Sequence, residues 1–276
     1  MLSIQDRVAE HYARADLEQT ILDALVASGK DPDRLAPSDL SPVDEFHAGG
    51  REATIDLAGQ VGFAPGTHLL DVGCGIGGPS RFFAAEHGCR VTGIDLTPDY
   101  VRTAEALARR VGLGERVSYR QASALALPFA GATFDGAYMM HVGMNIADKP
   151  ALFAGVHGVL KAGSRFAIYD IMSTGAGELR FPLHWAATAD TSFVASPDDY
   201  RGALEAAGFD ILKQRDRSDF ARAFFRQIAA RTAQHGMPPL GIHLLMKTDV
   251  PQKGANFVSA LDAGIVAPVE LVARAR

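Results

Sequence analysis

The sequence contains little of what marks secreted, zinc-binding or membrane-spanning proteins. Only two of its 276 residues are cysteines, and Cys74 and Cys89 form no C-x-x-C pair, so neither a zinc site nor a thioredoxin-like redox site is indicated. No uncharged stretch approaches the roughly 20 residues that span a bilayer, and the first residues lack the apolar core of a signal peptide. These absences favour a protein of the reducing cytoplasm without membrane association.

The chain also lacks an excess of basic residues. Its formal net charge is −5 and its pI is about 6.0, so the sequence predicts no nucleic-acid partner. No group of histidines and carboxylates has the spacing of a metal site, and we predict no bound metal. With 47% hydrophobic residues, the chain is long enough to bury its own core, as a monomer or a homodimer.

The sequence does contain a regular alternation of short apolar strands and helices from residue 67 onward. This rhythm predicts an α/β fold with a parallel sheet and helices on both of its faces. The predicted strands cover residues 68–72, 90–96, 117–121, 134–142, 164–172, 209–215 and 265–275. Helices are predicted from Pro79, over 99–113, from an N-cap at Asp148 to 160, and from Ser196 to 208.

The segments outside this alternation have a different pattern. Apolar residues recur at helical spacing over residues 5–28, a connector rich in proline and aspartate follows, and a helix resumes after Gly49-Gly50. We therefore predict a helical lid over residues 1–60 and a catalytic domain over 61–276. Residues 173–195 show no regular period and are predicted to form a mobile insertion over the sheet's carboxyl edge, and residues 218–263 contain two further helices.

The stretch LLDVGCGIGGPSRFF places a glycine-rich turn between the first predicted strand and a helix. Gly73-x-Gly75-x-x-Gly78 matches the dinucleotide fingerprint, but that match alone is weak and also fits a turn that needs glycine only for its backbone. Asp71-x-Gly73-x-Gly75-x-Gly77 matches a different spacing. A carboxylate at Asp71 would repel a pyrophosphate, whereas it suits the ammonium and sulfonium cations of S-adenosylmethionine.

A second carboxylate closes the next predicted strand. Asp95 lies 20 residues after Gly75, where it can accept hydrogen bonds from ribose hydroxyls in either cofactor. It can instead cap the helix that follows Thr97-Pro98. Asp95 therefore favours a nucleoside ligand without choosing between the two cofactors.

Further motifs extend this pattern over residues 65–172. The triplet LPF at 127–129 is followed by FD at 134–135, and LKAG at 160–163 precedes the fifth predicted strand. Together with the aspartates and the glycine loop, these motifs resemble the class I S-adenosylmethionine-dependent methyltransferases. The resemblance implies a seven-stranded Rossmann-like sheet whose last strand is antiparallel and lies between strands five and six. Residues 265–275 would provide that strand.

The resemblance also implies which residues hold the cofactor, across the carboxyl ends of strands one to four. Ser123 stands where the family commonly has an acidic residue that bonds the adenine amino group, so the adenine contact is less determined than the ribose contact. The cofactor-binding candidates are Asp71, Gly73, Cys74, Gly75, Gly77, Asp95, Leu96, Ser123, Ala124 and His141.

The glycine loop is most similar to the branch that modifies small metabolites, which includes sterol, tocopherol, glycine/sarcosine and sugar O-methyltransferases. There, residues after strand four wall the cofactor near its methyl group, and an early aromatic residue and a segment like EFHAGGREAT cover it. The candidate catalytic residues are accordingly His141, His47 and Tyr12. The candidate acceptor contacts are Asn145, Trp185 and Arg180. The structural alternatives are a hydrogen-bonded strand end for His141, a helix cap for His47 and ordinary packing for Trp185.

The expected activity is methyl transfer from S-adenosylmethionine to a small-molecule acceptor. Nitrogen is slightly favoured over oxygen, because an amine needs only to be neutral whereas a hydroxyl usually needs a base, and no unambiguous base is present in the sequence. Carbon and sulfur acceptors stay open. The alternatives from other classes are an NAD(P)-dependent Rossmann oxidoreductase, which Asp71 and the LKAG segment disfavour, and a non-catalytic protein that keeps the cofactor fold.

Overall fold

A seven-stranded sheet forms the centre of the computed structural model, which describes residues 2–246 and 248–276. Its order is β3-β2-β1-β4-β5-β7-β6, and β7 runs antiparallel to both of its neighbours. This topology confirms the predicted fold, including the antiparallel strand between the fifth and sixth. The strands are β1 His68–Val72, β2 Arg90–Asp95, β3 Val117–Gln121, β4 Phe134–Met140, β5 Leu160–Ser173, β6 Phe209–Asp216 and β7 Val266–Ala275.

Helices cover both faces of the sheet, and further helices precede β1 and lie between β6 and β7. They are α1 Ile4–Tyr12, α2 Leu17–Ala27, α3 Ser41–Asp44, α4 Gly50–Val61, α5 Gly78–Glu86, α6 Pro98–Arg110, α7 Lys149–Val159, α8 Pro197–Ala206, α9 Ser218–His235 and α10 Val250–Asp262. Short 3-10 helices occur at Pro37–Leu40, Gly143–Asn145, Ala189–Thr191 and Ile242–Leu245. In the described part of the chain, no helix is both long and apolar enough to cross a bilayer.

Two hydrophobic cores lie on opposite faces of the sheet because strand side chains alternate in direction. In β5, Phe166 and Ile168 join the core beneath α7 and α8, whereas Ala167 and Tyr169 join the core beneath α4, α5 and α6. The central strands are therefore buried on both sides, which explains why they form continuous apolar runs in the sequence.

The caps predicted for two helices are confirmed. Asp148 accepts a hydrogen bond from the backbone N–H of Ala151 at 2.8 Å, and it begins α7. Ser196 and Asp199 form a reciprocal capping box at the start of α8. Each cap satisfies amide groups that the first helical turn leaves unpaired.

The N-terminal region differs from the predicted single helix over residues 5–28. It is split into α1 and α2 by a break at which Asp16 has a φ of 54°. Just before that residue, the backbone N–H of Arg14 donates to the Asp99 carboxylate at 3.0 Å. This contact comes from a helix 85 residues away, so periodicity within the segment could not reveal it.

The last helix of the predicted lid, α4, packs directly on the sheet. Leu57 and Val61 of α4 are buried in the core beneath α5. On its outer side, Asp56 pairs with Arg215 and Arg217 of the β6 end. These contacts attach α4 to the sheet, whereas every residue of α1 keeps at least part of its surface exposed. The division at residue 60 stays a prediction.

Candidate functional site

A cavity of about 650 Å³ opens at the carboxyl ends of the parallel strands, a volume within the roughly 300–1,000 Å³ typical of ligand pockets. It lies where β1 pairs with β2 on one side and β4 on the other. The strand order reverses at this point, and open α/β sheets bind their ligands in the crevice that this reversal creates. The N-terminal helices, the insertion after β5 and α9 contribute its outer walls.

Nearly all of the predicted site residues line this cavity; the two exceptions are Gly77, in the turn that begins α5, and Arg180. The side chain of Arg180 is exposed, while its neighbours Leu179 and Phe181 pack inward. The structure places Arg180 outside the cavity lining, and its contact with the acceptor stays a prediction. The predicted residues that do line the cavity are Tyr12, His47, Asp71, Gly73, Cys74, Gly75, Asp95, Leu96, Ser123, Ala124, His141, Asn145 and Trp185.

The glycine loop is held against the end of β2 by its backbone. The N–H groups of Gly73 and Cys74 both donate to the carbonyl of Ile94, at 2.9 and 2.8 Å. Gly73 has a φ of +75°, and a Cβ there would lie 2.4 Å from the Val142 side chain. Only glycine permits this close approach. The loop thus presents backbone rather than side chains to the cavity.

Asp95 fastens the same loop from the end of β2. Its carboxylate accepts hydrogen bonds from the backbone N–H of Gly75 at 2.9 Å and from that of Thr97 at 2.8 Å. The ribose-binding and helix-start alternatives are therefore compatible, since one carboxylate lines the cavity and also holds Thr97, the residue that precedes α6.

Asp71 is buried beneath the loop. Its Oδ2 accepts hydrogen bonds from the Ser80 hydroxyl at 2.6 Å and from the Tyr138 hydroxyl at 3.0 Å. Burial raises the pKa of Asp71 to about 7 despite these two bonds. A carboxyl group that ionises near neutrality is well suited to a cationic ligand, because a nearby ammonium favours its charged form.

This raised pKa predicts that cofactor affinity depends on pH. The ammonium group favours ionised Asp71, so affinity for S-adenosylhomocysteine should increase from about pH 6 to pH 8 and then level off, by at most about tenfold per pH unit. Calorimetric titration at several pH values measures this. Asp71→Asn keeps the shape of the side chain and should bind more weakly with a flat profile. An equal slope in that variant would assign the pH dependence to another group.

Two histidines meet at the cavity wall next to Tyr169. The ring of His141 packs on Tyr169 with centroids 5.1 Å apart and lies 5.9 Å from the ring of His47. Burial lowers the pKa of His47 to about 4, and burial together with the charges of His47 and His184 lowers the pKa of His141 well below its usual value. Both imidazoles are therefore neutral at physiological pH.

The two histidines differ in their hydrogen bonds. The Nε2 atom of His47 lies 3.0 Å from the carbonyl of Gly50 and 3.1 Å from the Thr54 hydroxyl. The buried Nε2 of His141 has no hydrogen-bond partner within the described residues, and His141 adopts a positive φ of 55°. A buried, unpaired ring nitrogen in a strained backbone is typical of a functional position.

Sequence reasoning missed a buried carboxyl group close to His47, that of Glu45. Glu45 is buried and accepts a hydrogen bond from the Thr54 hydroxyl at 2.7 Å. Burial and the neighbouring charge of Asp44 raise the pKa of Glu45 well above its usual range. The segment EFHAGGREAT contains all of these residues, but only the fold shows that Glu45 faces inward.

The N-terminal helix reaches the cavity through Tyr12. Its hydroxyl donates to Oδ1 of Asn145 at 3.4 Å, which joins α1 to the segment after β4. Burial raises the pKa of Tyr12 well above its usual value, so the hydroxyl keeps its proton.

Aromatic side chains form the outer wall of the cavity, and sequence reasoning found only one of them. Trp185 packs on Phe257 with ring centroids 5.9 Å apart, and Phe225 packs on Phe257 at 5.3 Å. The indole N–H of Trp185 donates to the Ser192 hydroxyl at 2.9 Å. Within residues 2–246 and 248–276, no group of three or more histidine, cysteine or acidic side chains could hold a metal ion.

Comparisons with known proteins match the central part of the chain to one family. Residues 70–168 match the family described as a methyltransferase domain. An O-methyltransferase of Aspergillus sclerotiorum, resE, is 34% identical over 185 residues, which cover 67% of this chain and 70% of that protein. A sterol 24-C-methyltransferase of Eremothecium gossypii is 32% identical over 169 residues, 59% of this chain and 45% of that protein. The chain spans about half the length of the first curated relatives it matches.

Solved structures share the fold at lower identity. A geranyl diphosphate C-methyltransferase from Streptomyces coelicolor A3(2), in complex with Mg²⁺, geranyl-S-thiolodiphosphate and S-adenosyl-L-homocysteine, has a TM-score of 0.73 at 18% identity over 100% of this chain and 99% of that one. Phosphoethanolamine N-methyltransferase 2 from Haemonchus contortus has a TM-score of 0.71 at 18% identity, over 100% of this chain and 61% of that one.

Proposed function

Because the chain belongs to the S-adenosylmethionine-dependent methyltransferases, we propose that it methylates a hydroxyl oxygen of a small molecule, with His141 as the proton acceptor. Family membership confirms the resemblance found in the sequence and replaces the dehydrogenase alternative. The enzyme uses S-adenosylmethionine and acts on a small-molecule acceptor. The proposal concerns the identity of the attacking atom, the identity of the base and the roles of individual residues.

The residues at the inner end of the cavity fit this cofactor. Asp71 would hold the ammonium group, and Asp95 at the end of β2 would accept hydrogen bonds from the ribose hydroxyls. The glycine loop presents backbone instead of side chains, and the short side chains of Ser123 and Ala124 line the place proposed for adenine. When bound, S-adenosylmethionine supplies an activated methyl group.

His141 is the reason for proposing oxygen as the attacking atom. Its imidazole is neutral and lines the cavity. Its Nε2 is buried within the protein, so in the tautomer that is protonated on Nε2, the Nδ1 atom accepts the acceptor's hydroxyl proton while the oxygen forms its bond to the methyl carbon. The carbon–sulfur bond breaks in the same step, and its electron pair stays on sulfur. Packing on Tyr169 fixes the ring's orientation.

The lid contributes positioning and the exclusion of water. Phe46 and His47 cover the cavity from the segment before α4, and Tyr12 closes it from α1. Orientation of reacting groups in such a closed site is worth up to about 7–11 kcal/mol. The sequence slightly favoured nitrogen because it showed no unambiguous base, and His141 removes that reason. The O-methyltransferase relative supports oxygen, while the sterol C-methyltransferase keeps carbon as the alternative.

Methyl transfer to matched hydroxyl and amine acceptors tests this proposal. The protein is incubated with S-adenosylmethionine labelled in its methyl group and a panel of phenols, alcohols and the corresponding amines, and mass spectrometry locates the added methyl. We expect labelled ethers. Transfer only to amines or to carbon would contradict the proposal.

The His141→Ala variant tests the base. We expect its turnover to fall by about 10²–10⁴-fold, the usual contribution of a general base, and by far more than its affinity for S-adenosylhomocysteine falls. Because burial keeps the pKa of His141 well below neutrality, wild-type turnover should not follow His141 protonation between about pH 6 and 8. His87→Ala, on the outer side of the sheet at the end of α5, is the matched control and should keep wild-type turnover.

A further inference from the structure

We propose that the acceptor is uncharged and largely hydrocarbon or aromatic, so that phosphorylated and cationic small molecules are excluded. This inference rests on the proposed function, because it takes the outer part of the cavity as the acceptor's place. It concerns binding selectivity, which can be measured without any turnover.

Away from α1, the outer wall of the cavity is apolar except for His184. This part of the wall is built from the insertion, α9 and α10, all of which lie beyond the residues matched to the methyltransferase domain. The rings contact one another in sequence: Phe224 packs on Phe225 at 5.3 Å between centroids, Phe225 on Phe257, and Phe257 on Trp185. Ile171 and Met144 complete this surface. Such a wall binds by burying hydrocarbon or aromatic surface.

No lysine or arginine lines the cavity within the described residues. The nearby cations are engaged elsewhere: Lys149 donates to the carbonyls of Ile146 at 2.5 Å and Phe193 at 2.9 Å, and Arg81 pairs with Asp44. Lys253 is buried and lies near His184 without lining the cavity. A phosphate placed in the outer cavity would therefore lose its hydration without gaining a direct cationic partner.

The histidines do not supply the missing positive charge. Burial, with the charge of Lys253, lowers the pKa of His184 to about 4, and His47 and His141 are likewise neutral at physiological pH. Neutral imidazoles can accept or donate one hydrogen bond to a hydroxyl group. They therefore match an uncharged polar group on an otherwise apolar molecule.

Among the residues that the structure describes, the outer wall also has no carboxylate that could attract a cationic acceptor. Asp71 and Asp95 lie at the cofactor end, and Asp44 is paired with Arg81. Asp148, the remaining acidic residue of the lining, caps α7. An ammonium group in the outer cavity would have only aromatic faces as partners, which contribute less than a paired charge.

Three probes with one hydrocarbon chain and different head groups test this inference: geraniol, geranyl phosphate and geranylamine. Binding is followed by the fluorescence of Trp185, the chain's single tryptophan, in the presence of saturating S-adenosylhomocysteine. We expect geraniol to bind at least about tenfold more tightly than either charged probe. Equal or tighter binding of geranyl phosphate or geranylamine, or no binding of geraniol, would overturn the inference.

A charge added to the wall provides the second arm of the test. Phe224→Arg places a cation on the cavity lining from a partly exposed helix position and should shift the ratio of geranyl phosphate to geraniol affinity by at least about tenfold towards the phosphate. Gln227→Arg adds the same charge on an exposed position of α9 that does not line the cavity, and should leave the ratio unchanged. An unchanged ratio in Phe224→Arg would contradict the role assigned to the wall. Failure of hydroxyl methylation would not alter these binding ratios, so the two proposals fail separately.

Discussion

Replacing Arg81 with leucine is expected to lower the free energy of unfolding by about 3–5 kcal/mol, the usual cost of removing one partner of a buried ion pair. The guanidinium is only 1% exposed and donates to Oδ2 of Asp44 at 2.7 Å and to the carbonyl of Ile76 at 2.8 Å. Its removal leaves the Asp44 carboxylate buried without its cation. Urea denaturation followed by Trp185 fluorescence measures the loss.

The same substitution is expected to weaken cofactor binding. Arg81 connects the lid to the glycine loop, because Asp44 belongs to α3 and Ile76 belongs to the loop. The two segments are in close contact: a Cβ added to Gly78 would lie 2.1 Å from the carbonyl oxygen of Asp44. Losing the ion pair should therefore loosen the lid where it covers the cofactor, and calorimetry with S-adenosylhomocysteine should record a lower affinity.

Two variants serve as controls for the Arg81 prediction. Arg201→Leu removes an exposed pair with Asp198 and should cost less than about 1 kcal/mol. The double variant Arg81→Leu with Asp44→Leu should recover much of the lost stability, because it removes the uncompensated charge as well. A loss below about 1 kcal/mol in Arg81→Leu would show that this ion pair does not hold the lid.

Changing Gly75 to alanine is expected to reduce the affinity for S-adenosylhomocysteine by about 5- to 150-fold, which corresponds to the roughly 1–3 kcal/mol cost of one extra carbon in a packed site. Gly75 lines the cavity with a φ of +54°, and no atom of the protein lies within 4 Å of a Cβ built there. The added methyl group would therefore occupy space meant for the cofactor, and it would not clash with the protein itself.

Gly66→Ala is the matched control, because Gly66 has a φ of +80° and also has no atom within 4 Å of an added Cβ. Both substitutions strain a left-handed backbone by about 1–2 kcal/mol and should lower the unfolding free energy by similar amounts. Only Gly75→Ala should lose cofactor affinity. Equal affinities of the two variants for S-adenosylhomocysteine would contradict the assignment of the glycine loop to the cofactor site.

The strands that position the cofactor end of the site are local features, and sequence reasoning located them well. β1 and β3 have the predicted bounds, and β7 begins within one residue of its prediction. β1 and β7 are largely apolar, and β3 begins with alternating apolar and polar residues, so the signal of each strand lies within the segment itself. The break between α1 and α2 was missed, and the contact with Asp99 beside it is made by a residue far away in the chain.

The sequence by itself determined the α/β class, the strand order through its resemblance, and the cofactor, because these depend on periodicity and on motifs of closely spaced residues such as the loop from Asp71 to Gly77. Tertiary structure decided what surrounds the acceptor. The outer wall joins Phe46 to Trp185, Phe225 and Phe257, which are far apart in the chain. It also decided that Arg180 faces solvent and that His141 keeps a buried, unpaired nitrogen. Burial, pairing and charge state depend on which distant side chains meet, and no local pattern encodes that.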